Sequence, residues 1–291
     1  MRDSWVEAHP EANMGRTPRY ILFGGAGGGG KSFLGCYWLH FMALEFENTK
    51  WFIARNTLKD IVQSTYKSWS KLMREMNIPD DWWSFDGKYN VIHFKNGSSI
   101  DFLDVAYQPS DPMYQRLGSL EYTGGWIEEA GEVHQLAFET LKTRIGRFSN
   151  DTFNLFPAKI LLTCNPDTGW LYRVFYKPFK EQKLEDEYLF IQAFPQDNPN
   201  VQVREEYIKS LQSISDPTLK KRLLFGDWEY ESDDTMIFNY DAIIDAFTNN
   251  VPHSPHRYLT ADIARYGSDK TVVIVWQGLK AIKLIVKEKL G

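Results

Sequence analysis

The sequence predicts an α/β fold: a P-loop NTPase domain, with a mainly parallel sheet flanked by helices. Three observations carry that reading. Short apolar, strand-like runs alternate with helical patterns from residue 19 to residue 193, an alternation that buries a parallel sheet between helices. Gly25-Ala26-Gly27-Gly28-Gly29-Gly30-Lys31-Ser32 lies between one such strand and one such helix and fits G-x-x-x-x-G-K-[ST], a phosphate-binding loop. A later apolar segment ends in the paired carboxylates Glu128-Glu129.

The elements follow in order. Strands are expected at Arg19–Phe23, Trp51–Ala54, Ser99–Val105, Tyr122–Ile127, Lys159–Cys164 and Leu189–Ala193. Ser32–Phe46 is apolar nearly all round, as for a helix buried behind the loop. Thr57–Met76 opens on a capping-box pattern, Thr57-x-x-Asp60, and repeats apolar residues at 61, 66, 69, 72, 73 and 76. Asn96-Gly97, between two strand-like runs, signals a β-hairpin. Val133–Phe148 carries a further helical pattern. Residues 1–18, with Pro10 and Pro18, read as an irregular arm.

Composition changes near residue 232. Residues 19–232 are expected to form the P-loop domain, including a C-terminal helical subdomain over about 195–232. Residues 233–255 read as a linker, and 256–291 carry three further strands, Tyr258–Ile263, Lys270–Gln277 and Ala281–Lys287. A bare three-stranded meander makes a poor domain by itself.

Bulk composition narrows the function. Of 291 residues, 43% are hydrophobic and 24% charged, ordinary for a globular chain, and ten Trp imply large packed surfaces. The net charge of −5 argues against a simple basic nucleic-acid binder, so any DNA contact must come from local patches or several copies. Cys36 and Cys164 lie in apolar segments and read as free buried thiols of a reducing compartment. The N-terminus lacks a signal-peptide apolar run, and no stretch is long enough to cross a bilayer. An intracellular chain without a membrane partner is expected.

The loop implies a bound nucleoside triphosphate. Its backbone N–H groups (Gly25, Ala26, Gly27, Gly28, Gly29, Gly30) face the phosphates, Lys31 reaches the β/γ-phosphates and the Ser32 hydroxyl holds Mg²⁺. A triphosphatase also needs carboxylates for the metal and for the attacking water. Glu128 and Glu129, roughly a hundred residues downstream, are assigned to those two tasks in that order; two solvated glutamates are the plain alternative. Thr163-Cys164-Asn165-Pro166 ends a strand in a polar amide suited to sensing the γ-phosphate, or forms an ordinary Asn-Pro turn. The six scattered histidines lack metal-ligand spacing. Trp82-Trp83 reads as packing under a loop or an interface, and Lys220-Lys221-Arg222 as a solvated helix face or a DNA phosphate contact.

The chain resembles the large terminase subunit of tailed bacteriophages, a DNA-packaging ATPase-nuclease. Besides the loop, Phe52–Thr57, Arg116-Leu117-Gly118, Trp126–Ala130, Thr163–Pro166, Gln196-Asp197-Asn198-Pro199 and Leu223–Trp228 recur in order. Thr260-Ala261-Asp262-Ile263-Ala264 resembles the first strand of the family's RNase H-like nuclease domain, of which the sequence holds only the start (truncated).

The resemblance implies ATP hydrolysis driving double-stranded DNA into a procapsid. It further implies a homo-oligomeric ring on the portal protein, a small terminase subunit as partner, and residence in the host cytoplasm and transiently at the portal vertex. Thr163 and Asn165 become the coupling motif. Arg116 stands where the family often carries an arginine acting on a neighbour's nucleotide; a salt-bridged surface arginine is the alternative. Arg144 and Arg147, on one helical face, are runner-up fingers or DNA contacts, and Arg55 sits at the nucleotide rim or in a structural ion pair. Asp262, with Asp269 nearby, would hold the nuclease Mg²⁺ or Mn²⁺. Two-metal cleavage needs further carboxylates, Glu288 is a weak substitute, and this chain alone is expected not to cut DNA. A helicase- or recombinase-like ATPase and a non-catalytic portal-binding fragment are the rival readings.

Overall fold

The computed structural model describes residues 18–148, 158–230, 251–263 and 270–287. The expected arm apart from Pro18, the acidic stretch 231–234, most of the 233–255 linker, Asp269 and Glu288 fall outside them. The chain divides into two compact units, 1–242 and 243–291.

The first unit is built on an eight-stranded sheet. Its strands are β1 Tyr20–Gly25, β2 Lys50–Arg55, β3 Trp83–Asp86, β4 Val91–Phe94, β5 Ser99–Asp104, β6 Gly124–Ile127, β7 Ile160–Cys164 and β8 Tyr188–Ala193. They lie in the order β3-β4-β5-β2-β6-β7-β1-β8. Every pairing from β5 to β8 is parallel; β3 and β4 add an antiparallel edge through the hairpin turned at Asn96-Gly97. All six expected strands are present. β3 is an addition: Trp83, read as loop packing, begins a strand and meets Trp69 edge to face at 4.6 Å, while Trp82 is half exposed.

The longer helices are α1 Lys31–Glu45, α2 Tyr66–Glu75, α3 Gln135–Lys142, α4 Val201–Gln212 and α5 Pro217–Phe225. α1 and α2 pack on one sheet face around Trp51, Trp69 and Trp126; α3 packs with Tyr122, Phe138 and Trp170 in a second core cluster. The Thr57 hydroxyl accepts from Asp60 N at 3.2 Å, confirming the capping signal. That helix is not regular, however: a π-turn, Ile61–Thr65, precedes α2.

Two expectations need correction. α1 is apolar all round but not buried all round, since Phe33 and Phe41 are exposed. The helix expected over 133–148 runs only over α3, because Gly146 takes φ 71° and Ile145 bridges back to Tyr122. Arg144 and Arg147 therefore lie beyond the helix and share no helical face.

His40, 2% exposed on α1, packs against Trp69 and Phe94 with ring centroids about 6 Å away, and among the described residues neither ring nitrogen has a hydrogen-bond partner. Burial lowers its pKa from 6.5 to about 4. The unfolded chain thus binds this proton first as pH falls. Stability is complete above pH 6.5 and declines towards pH 4, by up to about 3 kcal/mol. Melting temperatures taken across that interval should fall less in His40→Leu than in the wild type.

The second unit contains β9 Arg257–Asp262, β10 Thr271–Gln277 and β11 Lys280–Lys287. They form an antiparallel meander in the order β11-β10-β9. Asp262 ends β9 opposite Val272 and is exposed.

Candidate active site

In a parallel sheet the loops after each strand gather on one edge, and a crevice opens where consecutive strands part to opposite sides. Here β1 is flanked by β7 and β8, while β2 lies two strands beyond β7. The ends of β1, β2, β6 and β7 therefore bring residues 25–32, Arg55, Glu128-Glu129 and Asn165 to one edge.

The glycine-rich loop, residues 25–32, leaves β1 and enters α1 through Gly30 at φ 77°; Gly28 is at φ 73°. Both values are open to glycine at little steric cost. Lys31 is 8% exposed, and its ammonium donates to the carbonyls of Gly25 at 3.3 Å and Ala26 at 2.6 Å. Burial lowers the Lys31 pKa and the carboxylate of Glu129 opposes that shift. A phosphate engaging Lys31 would exchange those carbonyls for charged oxygens, a stronger class of hydrogen bond.

Glu128 follows β6 and is 4% exposed. Thr65 donates its hydroxyl to Glu128 Oε2, and Arg55 Nη1 lies 3.7 Å from the same oxygen. Arg55 also donates to Ser64 Oγ at 2.6 Å and lies 3.9 Å from Glu132. Of its two readings, the structure shows the ion pair, formed with a site acid. Thr65 closes the π-turn; such insertions re-aim one side chain within a helix. Sequence reasoning missed Thr65, and nothing in the spacing of residues 65 and 128 announces the contact.

Glu129 takes φ 49°, ψ 50°, the left-handed region that non-glycine residues seldom adopt. Strain of this kind costs about 1–3 kcal/mol and concentrates at functional sites. Burial raises the Glu129 pKa, with Glu128 and Glu132 adding to the rise and Lys31 opposing it. A carboxylate so tuned is a better proton acceptor near neutral pH.

The remaining assignments separate. Thr163 is buried and its hydroxyl accepts from Trp126 Nε1 at 2.9 Å, a contact that braces two strands. Asn165 is half-buried just past β7. Arg116 pairs with Asp111 at 2.9 Å, donates to Ala106 O and lies over the Tyr114 ring at 5.1 Å. Arg144 donates to Gly118 O and to Thr143 Oγ1, while Arg147 is exposed. Arg222, read as part of a solvated face, turns inward instead: its Nε donates to Pro166 O at 2.7 Å. Cys36 and Cys164 are buried free thiols whose pKa burial pushes up.

Hard oxygen donors suit Mg²⁺, which is held by one or two protein groups while phosphates and water complete its shell. The Ser32 hydroxyl at the start of α1 and the Glu128 carboxylate are donors of that kind. Among the described residues no cluster of three acids, cysteines or histidines forms a metal cage.

A family model described as phage terminase large subunit matches residues 18–222. The chain belongs to the phage terminase large subunit family. No curated protein matches it in sequence. Among solved structures, the large terminase of a thermophilic bacteriophage aligns over 98% of this chain and 66% of its own length, at TM-score 0.57 and 14% identity. The same thermophilic phage protein in complex with ADP aligns equally well at 15% identity, and its complex with ATP-γ-S gives TM-score 0.56. The large terminase of bacteriophage HK97 aligns over 94% of this chain and 59% of its own, at TM-score 0.54 and 9% identity. The chain thus spans 66% of the thermophilic phage protein and 59% of the HK97 protein. At these identities the likeness is one of fold: a mainly parallel sheet flanked by helices. No helix among the described residues is long and apolar enough to cross a membrane.

Proposed function

We propose that this terminase chain hydrolyses ATP to drive double-stranded DNA into a procapsid. The observation that carries the proposal is the meeting of the phosphate loop, Lys31 and Glu129 at one sheet edge in a chain of this family. The N–H groups of Ala26 and Gly27, expected to face phosphate, donate instead to Ala193 O and Leu223 O, so Lys31 and the later loop amides would hold the phosphates. Mg²⁺, held by Ser32 and Glu128, supplies charge neutralisation on the phosphates when bound. Glu129 accepts the proton of the attacking water, and the contacts of Arg55 and Thr65 with Glu128 keep the neighbouring acid aimed.

Asn165 would report the state of the terminal phosphate. Its neighbour Pro166 is tied to α5 through Arg222, so a shift at the end of β7 reaches the helices. Arg116 would serve a neighbouring subunit by exchanging Asp111 for phosphate, two anions that suit the same guanidinium fork. We assign residues 19–232 to the ATPase domain and 256–291 to part of a nuclease domain in which Asp262 holds a divalent ion. Portal protein, small subunit and a ring of copies are the partners this reading requires.

Phosphate release with DNA and procapsid, compared between wild type and Lys31→Ala, tests the proposal. Removing this charge should weaken nucleotide binding about tenfold or more and leave no measurable turnover. Equal rates would remove the enzymatic claim and favour a non-catalytic portal-binding role; turnover indifferent to procapsid would favour a helicase-like ATPase.

A further inference from the structure

The helical subdomain is built onto the phosphate loop itself. Gly27 N donates to Leu223 O of α5 at 2.8 Å, and Asn198 Nδ2 donates to Gly28 O at 2.8 Å. Gly226, which caps α5, approaches Ala26 N, and Trp228 packs beneath Gly24. From α4, Tyr207 lays its ring across the loop. A Cβ on Gly28 would fall 2.3 Å from Tyr207 Cδ1, and one on Gly27 would fall 2.5 Å from the Tyr207 hydroxyl. The bare backbone of Gly27 and Gly28 is thus what seats this ring.

The hydroxyl has a direction. It stands against Gly27 while the ring edge covers Gly28, and the charge of Glu129 adds to burial in raising the Tyr207 pKa. A protonated phenol has one O–H to donate, and a phosphate oxygen can only accept it. The assigned chemistry of the loop and of Glu129 does not employ it.

We propose that Tyr207 is a nucleotide-contacting residue: its hydroxyl donates to the terminal phosphate of a triphosphate on residues 25–32, while its ring keys α4 to Gly27 and Gly28. The proposal rests on the ATPase reading. A triphosphate is then distinguished from a diphosphate by a side chain of the helical subdomain. The difference is transmitted to α4 without an intermediary, in parallel with the Arg222–Pro166 link.

Tyr207→Phe keeps the ring and removes only the donor; Tyr207→Ala removes both. Affinities for ATP-γ-S and ADP, with melting temperatures, are measured for wild type and both variants. Tyr207→Phe should melt like wild type, lose about tenfold in ATP-γ-S affinity and keep its ADP affinity. Tyr207→Ala should show the same loss and also melt lower. Unchanged ATP-γ-S affinity in Tyr207→Phe, or an equal loss for both nucleotides, would overturn the assignment. A wild-type chain that binds neither nucleotide would instead overturn the ATPase reading and this proposal with it.

Discussion

Glu129→Gln is expected to lower kcat for ATP hydrolysis by about 10²–10⁴-fold, the usual worth of a positioned general base, while nucleotide affinity stays near the wild-type value. Glutamine keeps the shape and removes the proton acceptor; the phosphate loop and Lys31 are untouched. The pH dependence gives a second signature. The base must be ionised to act, so the rate falls as pH drops through its pKa. Burial lifts that pKa above the ordinary carboxylate value, so the acid limb of kcat should lie higher than about pH 4.3. A single-turnover pH series would show the limb in wild type and not in the residual activity of Glu129→Gln. An unchanged kcat would move the base elsewhere and leave the strained backbone at φ 49° without a functional account.

The second large effect is on stability. Gly35 lies one turn into α1, and a Cβ there would fall 2.2 Å from Trp126 Cε2. Helix propensity alone favours alanine by about 1 kcal/mol. Overpacking opposes it by about 1–3 kcal/mol or more, and Trp126 has nowhere to go: it is fully buried and its indole donates to Thr163. Overpacking wins. Gly35→Ala should cost about 2 kcal/mol and lower the melting temperature by about 4–8 °C. Because Gly35 follows Lys31 by a single turn, a displaced α1 should weaken nucleotide binding as well. Thermal melts with and without ATP-γ-S would read both effects, and a variant that melts above wild type would show that propensity dominates.

The parts legible in the sequence were those with a local signal. Short apolar runs marked the strands of the parallel sheet, a longer apolar stretch marked α1, Thr57 and Asp60 marked a helix start, and Asn96-Gly97 marked a hairpin. The glycine-rich loop and the paired acids stood out as candidates because each is a contiguous run placed between recognisable elements. Where a local signal was diluted, the reading slipped. The apolar pattern over 133–148 continues past the point where Gly146 and the Tyr122–Ile145 bridge end the helix. Arg222 stands in a basic run, and only the packing of α5 against the end of β7 turns it inward.

The sequence alone determined the fold class and pointed to the glycine-rich loop and the paired acids as the candidate site, because each is written in residues a few positions apart. Tertiary structure alone decided what surrounds them. It set Thr65 and Arg55 against Glu128, tied Thr163 to Trp126, and folded Asn198, Tyr207 and Leu223 back onto Gly27 and Gly28. Those partners are separated by tens to well over a hundred residues, and such contacts leave no period or spacing to read. The glycines show the difference most plainly. As a sequence they promise room for phosphate; in the folded chain two of them also make room for a tyrosine.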